Sequence, residues 1–164
     1  AAPLLAWLAE SPEDSGIRAL LADHYLTVAD FPAAVREYER LVETAPENPL
    51  FLNNLAWLYN AAGDPRALET AERAHAAAPE APHVMDTLGW ILHQRGQTAR
   101  AFELISRAVQ MNPDVPEIRY HHAVLLAETG DAAAAADEAR ALLADETAVG
   151  YHDQAQALLD RLGL

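Results

Sequence analysis

The chain has no cysteine among its 164 residues, so disulfides and thiolate chemistry are excluded and this residue type leaves the redox compartment open. Lysine is absent as well: all 11 basic residues are arginine, set against 25 acidic ones for a net charge of −14. No basic stripe is available for phosphates, which argues against nucleic acid and against anionic lipid surfaces as partners. The acidic excess favours solubility and would steer a basic partner towards the chain. No apolar run approaches the ~20 residues needed to cross a bilayer, so direct membrane insertion is not expected, and no signal-peptide pattern is present. With 7 glycines, 10 prolines and 51% hydrophobic residues, the composition is that of a folded chain rather than a disordered one. No phosphate loop, dinucleotide fingerprint or GxSxG elbow occurs. No catalytic residue and no cofactor are expected.

What is present is a period. Pro12, Pro46, Pro79, Pro113 and then Thr147 follow one another at intervals of 34, 33, 34 and 34 residues. Around each mark the same columns recur. One reads Leu21, Leu55, Leu88, His122; its neighbour reads Ala22, Ala56, Gly89, Ala123; a third reads Tyr25, Tyr59, Leu92, Leu126. The second half of each repeat carries Ala34, Ala67, Ala101, Ala135, then Tyr38, Ala71, Ile105, Ala139, then Leu41, Ala74, Ala108, Leu142. Small residues where helices cross, with large ones between them, are what an antiparallel helix pair requires. The turn inside each repeat reads Ala29-Asp30, Gly63-Asp64, Gly96-Gln97 and Gly130-Asp131. Gly ends a helix in the left-handed region, and Asp then caps the next helix by accepting an orphan N–H. Pro65 is expected in the first turn of the helix after Asp64, where its missing N–H costs nothing.

These columns and their spacing resemble the tetratricopeptide repeat family over essentially the whole chain. The resemblance implies an all-α, right-handed superhelical solenoid of antiparallel helix pairs. The expected layout is a trailing helix of a preceding repeat over 1–14, repeats over 15–48, 49–81, 82–115 and 116–149, and a capping helix over 150–164. Ala1–Glu10 occupies the place of a second helix, so a longer array is expected to precede it. Tyr151, Ala155, Leu158, Leu159 and Leu162 form the single apolar stripe of a terminal helix, which reads as at or near the C-terminus.

The resemblance also implies that the first helices of successive repeats line a groove that binds ligands. Helical spacing points Asn53, Asn54, Trp57 and Asn60 inward from the second repeat. It points Asp86, Thr87, Trp90 and His93 inward from the third, and Glu117, Tyr120, His121 and Glu128 from the fourth. Asn53, Trp57 and Asn60 recur as Asp86, Trp90 and His93, a polar–aromatic–polar ladder on one face. An indole flanked by amides can grip an apolar side chain while the amides hold a backbone. The tryptophans could instead pack against neighbouring helices, and Asn53 and Asn54 could hydrogen-bond between repeats. The basic clamp that chaperone-cofactor members use for a C-terminal carboxylate is missing, because those places hold Asn, Asp and Tyr. His83, Asp86 and His121 could approach one another, but no HxxxH pair chelates from one face, so no metal site is expected. His122 falls in a core column, where a hydrogen-bonded neutral imidazole is expected. Asp23, Asp86 and Glu128 form no matched acid–base pair.

GDPRAL (63–68), DTLGW (86–90) and PEIRYH (116–121), within residues 49–144, look like the C-terminal end of large bacterial tetratricopeptide proteins of the exosortase (PEP-CTERM) system, which are linked with exopolysaccharide assembly. That likeness implies a periplasmic or envelope setting; without it the cytoplasm is the default. The function expected is a non-catalytic scaffold that receives a protein or peptide segment, with oligomeric state open. The alternatives are a structural cap of a longer array and an accessory domain of a larger enzyme.

Overall fold

A computed structural model describes residues 1–164, which form ten α-helices and one 3-10 turn with no strand. The chain divides into two compact units, Ala1–Pro79 and Glu80–Leu164. The first holds α1 (Ala2–Glu10), α2 (Ser15–Thr27), α3 (Phe31–Thr44), α4 (Pro49–Ala61) and α5 (Ala67–Ala77). The second holds α6 (Pro82–Gln94), α7 (Thr98–Met111), α8 (Pro116–Thr129), α9 (Ala132–Ala144), the 3-10 turn Glu146–Tyr151 and α10 (His152–Leu162). No helix is long and apolar enough to cross a membrane.

Local chemistry sets the helix ends. Asp14, Asp30, Asn48 and Asp131 accept backbone N–H groups at the starts of α2, α3, α4 and α9, which satisfies donors that have no intrahelical partner. Proline opens α4, α6 and α8, where its fixed φ suits the first turn. Helices α3, α5 and α7 end at Thr44, Ala77 and Met111, just short of the residue that precedes each of Pro46, Pro79 and Pro113. Gly63, Gly96 and Gly130 adopt positive φ in the turns within the pairs; Ala29 takes the same conformation at φ 56° without glycine's freedom. Pro65 does not enter the next helix. The residue missing from this turn is taken from α5, which begins only at Ala67 and has 11 residues. Arg66 fills the gap, pairing with Asp64 at 2.7 Å and lying 4.0 Å above the Tyr59 ring.

The repeat columns are the core. Every residue in them is buried except Tyr25 and His122, which are half-buried. His122 is not hydrogen-bonded as expected: its Nδ1 is enclosed without a partner, and the ring stacks on Phe102 with centroids 5.8 Å apart. Burial holds its pKa below the ordinary histidine value, which keeps it neutral at pH 7. At the end of the second unit, Ala155, Leu158 and Leu159 of α10 close a cluster with Ala123, Ala136, Ala139 and Leu142. Arg119 ties α8 to the following segment through Asp145 at 3.0 Å. In the first unit, composition gave no hint of a buried ion pair between Arg18 of α2 and Glu37 of α3, at 2.7 Å. Arg18 also donates to the Pro12 carbonyl.

Candidate functional site

Each unit presents its own set of the residues that helical spacing pointed inward. In the first unit they lie on α4. Leu50, Asn53 and Trp57 are spaced three and four apart and share one stripe. Leu50 is 52% exposed and Trp57 40% exposed, so two large apolar side chains meet solvent on a helix whose other large residues are mostly buried. Trp57 is braced edge-on by Phe31, with ring centroids 5.7 Å apart. Between them Asn53 is only 8% exposed, and its side-chain oxygen is enclosed without any hydrogen-bond donor. A buried amide oxygen left unpaired costs about 1–3 kcal/mol.

Asn54 behaves differently from its neighbour. Its amide donates to the Tyr38 hydroxyl at 2.7 Å, and that hydroxyl donates to Asp23. The chain of bonds links α2, α3 and α4, the role that the packing alternative assigned to these amides. Burial, and next the hydrogen bond to Asp23, raise the Tyr38 pKa well above the ordinary phenol value. Asn60 is half-buried on the same helix.

In the second unit α6 and α8 converge. His121 Nδ1 lies 2.9 and 3.0 Å from the two carboxylate oxygens of Asp86, and both residues are buried. Trp90 stacks flat on the His121 ring, with centroids 3.9 Å apart and planes 14° from parallel. Trp90 is therefore half-buried and held, whereas Trp57 is exposed. Tyr120 flanks the stack, 6.4 Å from Trp90 and 5.8 Å from Tyr151. His93 lies 4.8 Å from Trp90 and approaches Glu128 to 3.4 Å without making a hydrogen bond. Thr87 donates to the His83 carbonyl of its own helix, which satisfies its hydroxyl locally.

Two participants here were not expected to act together with Asp86 and His121. Glu117 stands with Asp86 and His121, their nearest ligand atoms all within 4.8 Å of one another; His83 is not part of this group. The spacing held the signal, since Glu117 and His121 are four apart on α8. Tyr151 lies beyond the last repeat, where no column predicts its neighbours. Burial and then the Asp86 charge raise the Glu117 pKa, while His121 opposes them. The Tyr151 hydroxyl is pushed up to about 12 by burial, then by Glu117 and Asp86.

The tetratricopeptide repeat family profile matches residues 19–82, 65–116 and 87–151. Among solved structures, the thermophilic tetratricopeptide protein TTC0263 of Thermus thermophilus is similar at TM-score 0.74 and 21% identity, over 95% of this chain and 87% of that one. YrrB, described as a tetratricopeptide protein with an unusual peptide-binding site, is similar at TM-score 0.68 and 21% identity, over 97% and 90% of the two chains. The Thermobaculum terrenum O-GlcNAc transferase matches at TM-score 0.70 and 24% identity, over 76% of this chain but 25% of the enzyme. At these identities the likeness is one of fold. No curated protein matches the chain.

Proposed function

Because the chain belongs to the tetratricopeptide repeat family, we propose that it is a non-catalytic interaction module that holds an extended or helical segment of a partner protein against the first helices of its repeats. The observation that carries this reading is the α4 stripe. Leu50 and Trp57 are exposed on either side of Asn53, whose enclosed oxygen lacks a donor. A peptide backbone N–H would supply that donor, and the indole would cover an adjacent apolar side chain. Asn60 extends the stripe, while Asn54 supports it from beneath through Tyr38. In the second unit Tyr120, Trp90 and His93 form the corresponding aromatic surface beside Thr87, with Asp86 and His121 buried below it. The description of YrrB as peptide-binding supports the partner class. The envelope and exopolysaccharide setting enters the proposal on the GDPRAL, DTLGW and PEIRYH likeness alone.

A second reading, an accessory segment of a longer enzyme, draws on the O-GlcNAc transferase match, which covers a quarter of that chain. It predicts the same groove but places chemistry in sequence outside these residues.

The test is selection of a phage-displayed random peptide library on the immobilised chain, followed by binding measurements on the selected peptides. Trp57→Ala should weaken them about 30-fold or more, the ~2 kcal/mol expected of an aromatic anchor. Asn53→Leu should weaken them as well, since it removes the acceptor. Peptides that bind both variants as tightly as the parent, or a selection that yields none, would overturn the α4 reading.

A further inference from the structure

We propose that Asp86, Glu117 and His121 form a binding site for a divalent first-row transition-metal ion, with zinc as its most informative probe. This goes beyond the interaction role and does not depend on it. It also departs from the sequence-based expectation of no metal, which was argued from His83 and the lack of an HxxxH pair.

Three observations on the second unit converge. The first is donor geometry. One imidazole nitrogen and two carboxylates offer ligand atoms within 4.8 Å of one another, a spread that a small side-chain rotation closes onto one ion. They come from α6 and α8, both long helices, so the donors sit on rigid elements rather than on a loop.

The second is depth. Asp86 is 4% exposed and His121 7% exposed. Exposed acidic groups commonly cluster without an ion, but these two are enclosed. Trp90 lies flat on His121 and fixes its ring plane, the kind of support that orients a metal-ligating imidazole.

The third is charge. Elsewhere several enclosed or half-enclosed carboxylates are answered by arginine: Glu37 by Arg18, Glu39 by Arg66, Asp145 and Glu138 by Arg119. Here two carboxylates share one histidine, and neither is paired with an arginine. Glu117 is half-buried beside them. A cation supplies what the cluster lacks. The mixed imidazole–carboxylate set favours zinc, cobalt, iron or manganese over magnesium and calcium, which prefer oxygen alone. Binding would displace the hydrogen between His121 Nδ1 and Asp86, and an ion shared by α6 and α8 would clamp the two helices together.

The full chain, stripped of metal, would be titrated with zinc by calorimetry and with cobalt by absorption spectroscopy, followed by thermal unfolding with and without zinc. The expected result is saturation at one ion per chain and a raised unfolding temperature. Glu117→Gln keeps the volume of a half-buried side chain and should still fold, as circular dichroism would confirm. It should weaken zinc more than about 100-fold, beyond the cost of losing a merely supporting group. His83→Ala should leave binding unchanged. No saturable binding below millimolar zinc would overturn the proposal, as would stoichiometric binding that survives Glu117→Gln or is lost in His83→Ala. His121→Gln gives a second check, with Glu117→Gln deciding if that variant does not fold.

Discussion

Where α6 crosses α7, Gly89 replaces the alanine that Ala22, Ala56 and Ala123 supply in the other repeats. A Cβ built on Gly89 would lie 2.6 Å from Ile105 Cγ1, 3.0 Å from its Cδ1 and 3.3 Å from the Ala101 carbonyl oxygen. The branch carbon of Ile105 is held close to its own backbone, so the clash is not relieved by swinging a flexible end. Overpacking of this kind costs about 1–3 kcal/mol. Alanine's better helix propensity returns about 1 kcal/mol. Gly89→Ala should therefore destabilise the protein by about 0–2 kcal/mol net. Ile105→Ala alone should cost about 2–5 kcal/mol through lost burial and the cavity left behind. In the double variant the clash with Ile105 has gone, only the 3.3 Å approach to the Ala101 carbonyl stays, and the propensity gain remains. The pair then matches Ala56 with Ala71 and Ala123 with Ala139. Gly89→Ala should thus change sign, destabilising the parent and stabilising the Ile105→Ala protein by about 1 kcal/mol. Urea unfolding followed by circular dichroism at the helical band measures all four corners of the cycle. If Gly89→Ala shifts both backgrounds equally, within about 0.5 kcal/mol, the close approach of α6 and α7 is not what selects glycine.

Ala29→Gly should stabilise the protein by about 0.5–1 kcal/mol, because Ala29 sits at φ 56°, where a side chain is strained and glycine's added unfolded-state freedom only partly offsets the relief; a lowered urea midpoint would refute this. Arg18→Met should destabilise by about 3 kcal/mol, since it strands the Glu37 carboxylate under α2 with only Arg40, at 3.6 Å, to answer it; Arg18→Met with Glu37→Leu should recover most of the loss, and a double variant as unstable as the single would show that the pair is not the cause. The Thr147 hydroxyl and backbone N–H, with Arg119 adding, hold the Asp145 pKa below 3.8. A depressed folded-state pKa contributes stability above the unfolded value that disappears as pH falls through the folded one. The difference in thermal midpoint between the parent and Asp145→Ala should accordingly stay constant from about pH 7 to 5 and shrink below about pH 4; a difference that grows on acidification would contradict that assignment.

The sequence by itself determined the repeat, its helices and its core columns, because each is encoded in short-range chemistry. Asp30 and Asp131 cap the helix that follows them, although Asp64 does not cap α5; Pro46, Pro79 and Pro113 stop whichever precedes them, and the 3.6-residue period says which side is apolar. Even the terminal helix was legible from the stripe of Ala155, Leu158 and Leu159. Only tertiary structure decided what the polar residues on the inward face are for. Asn53 and Asn54 are adjacent and alike in sequence, yet one lacks a donor and the other is engaged by Tyr38, 16 residues away. Trp57 and Trp90 hold equivalent places, yet only Trp90 is covered, by a histidine from the next helix pair. Asp86 meets His121 across 35 residues of chain. Periodicity fixes the direction in which a side chain leaves its own helix. Which partner it meets depends on helices one repeat apart, whose side chains vary independently along the sequence.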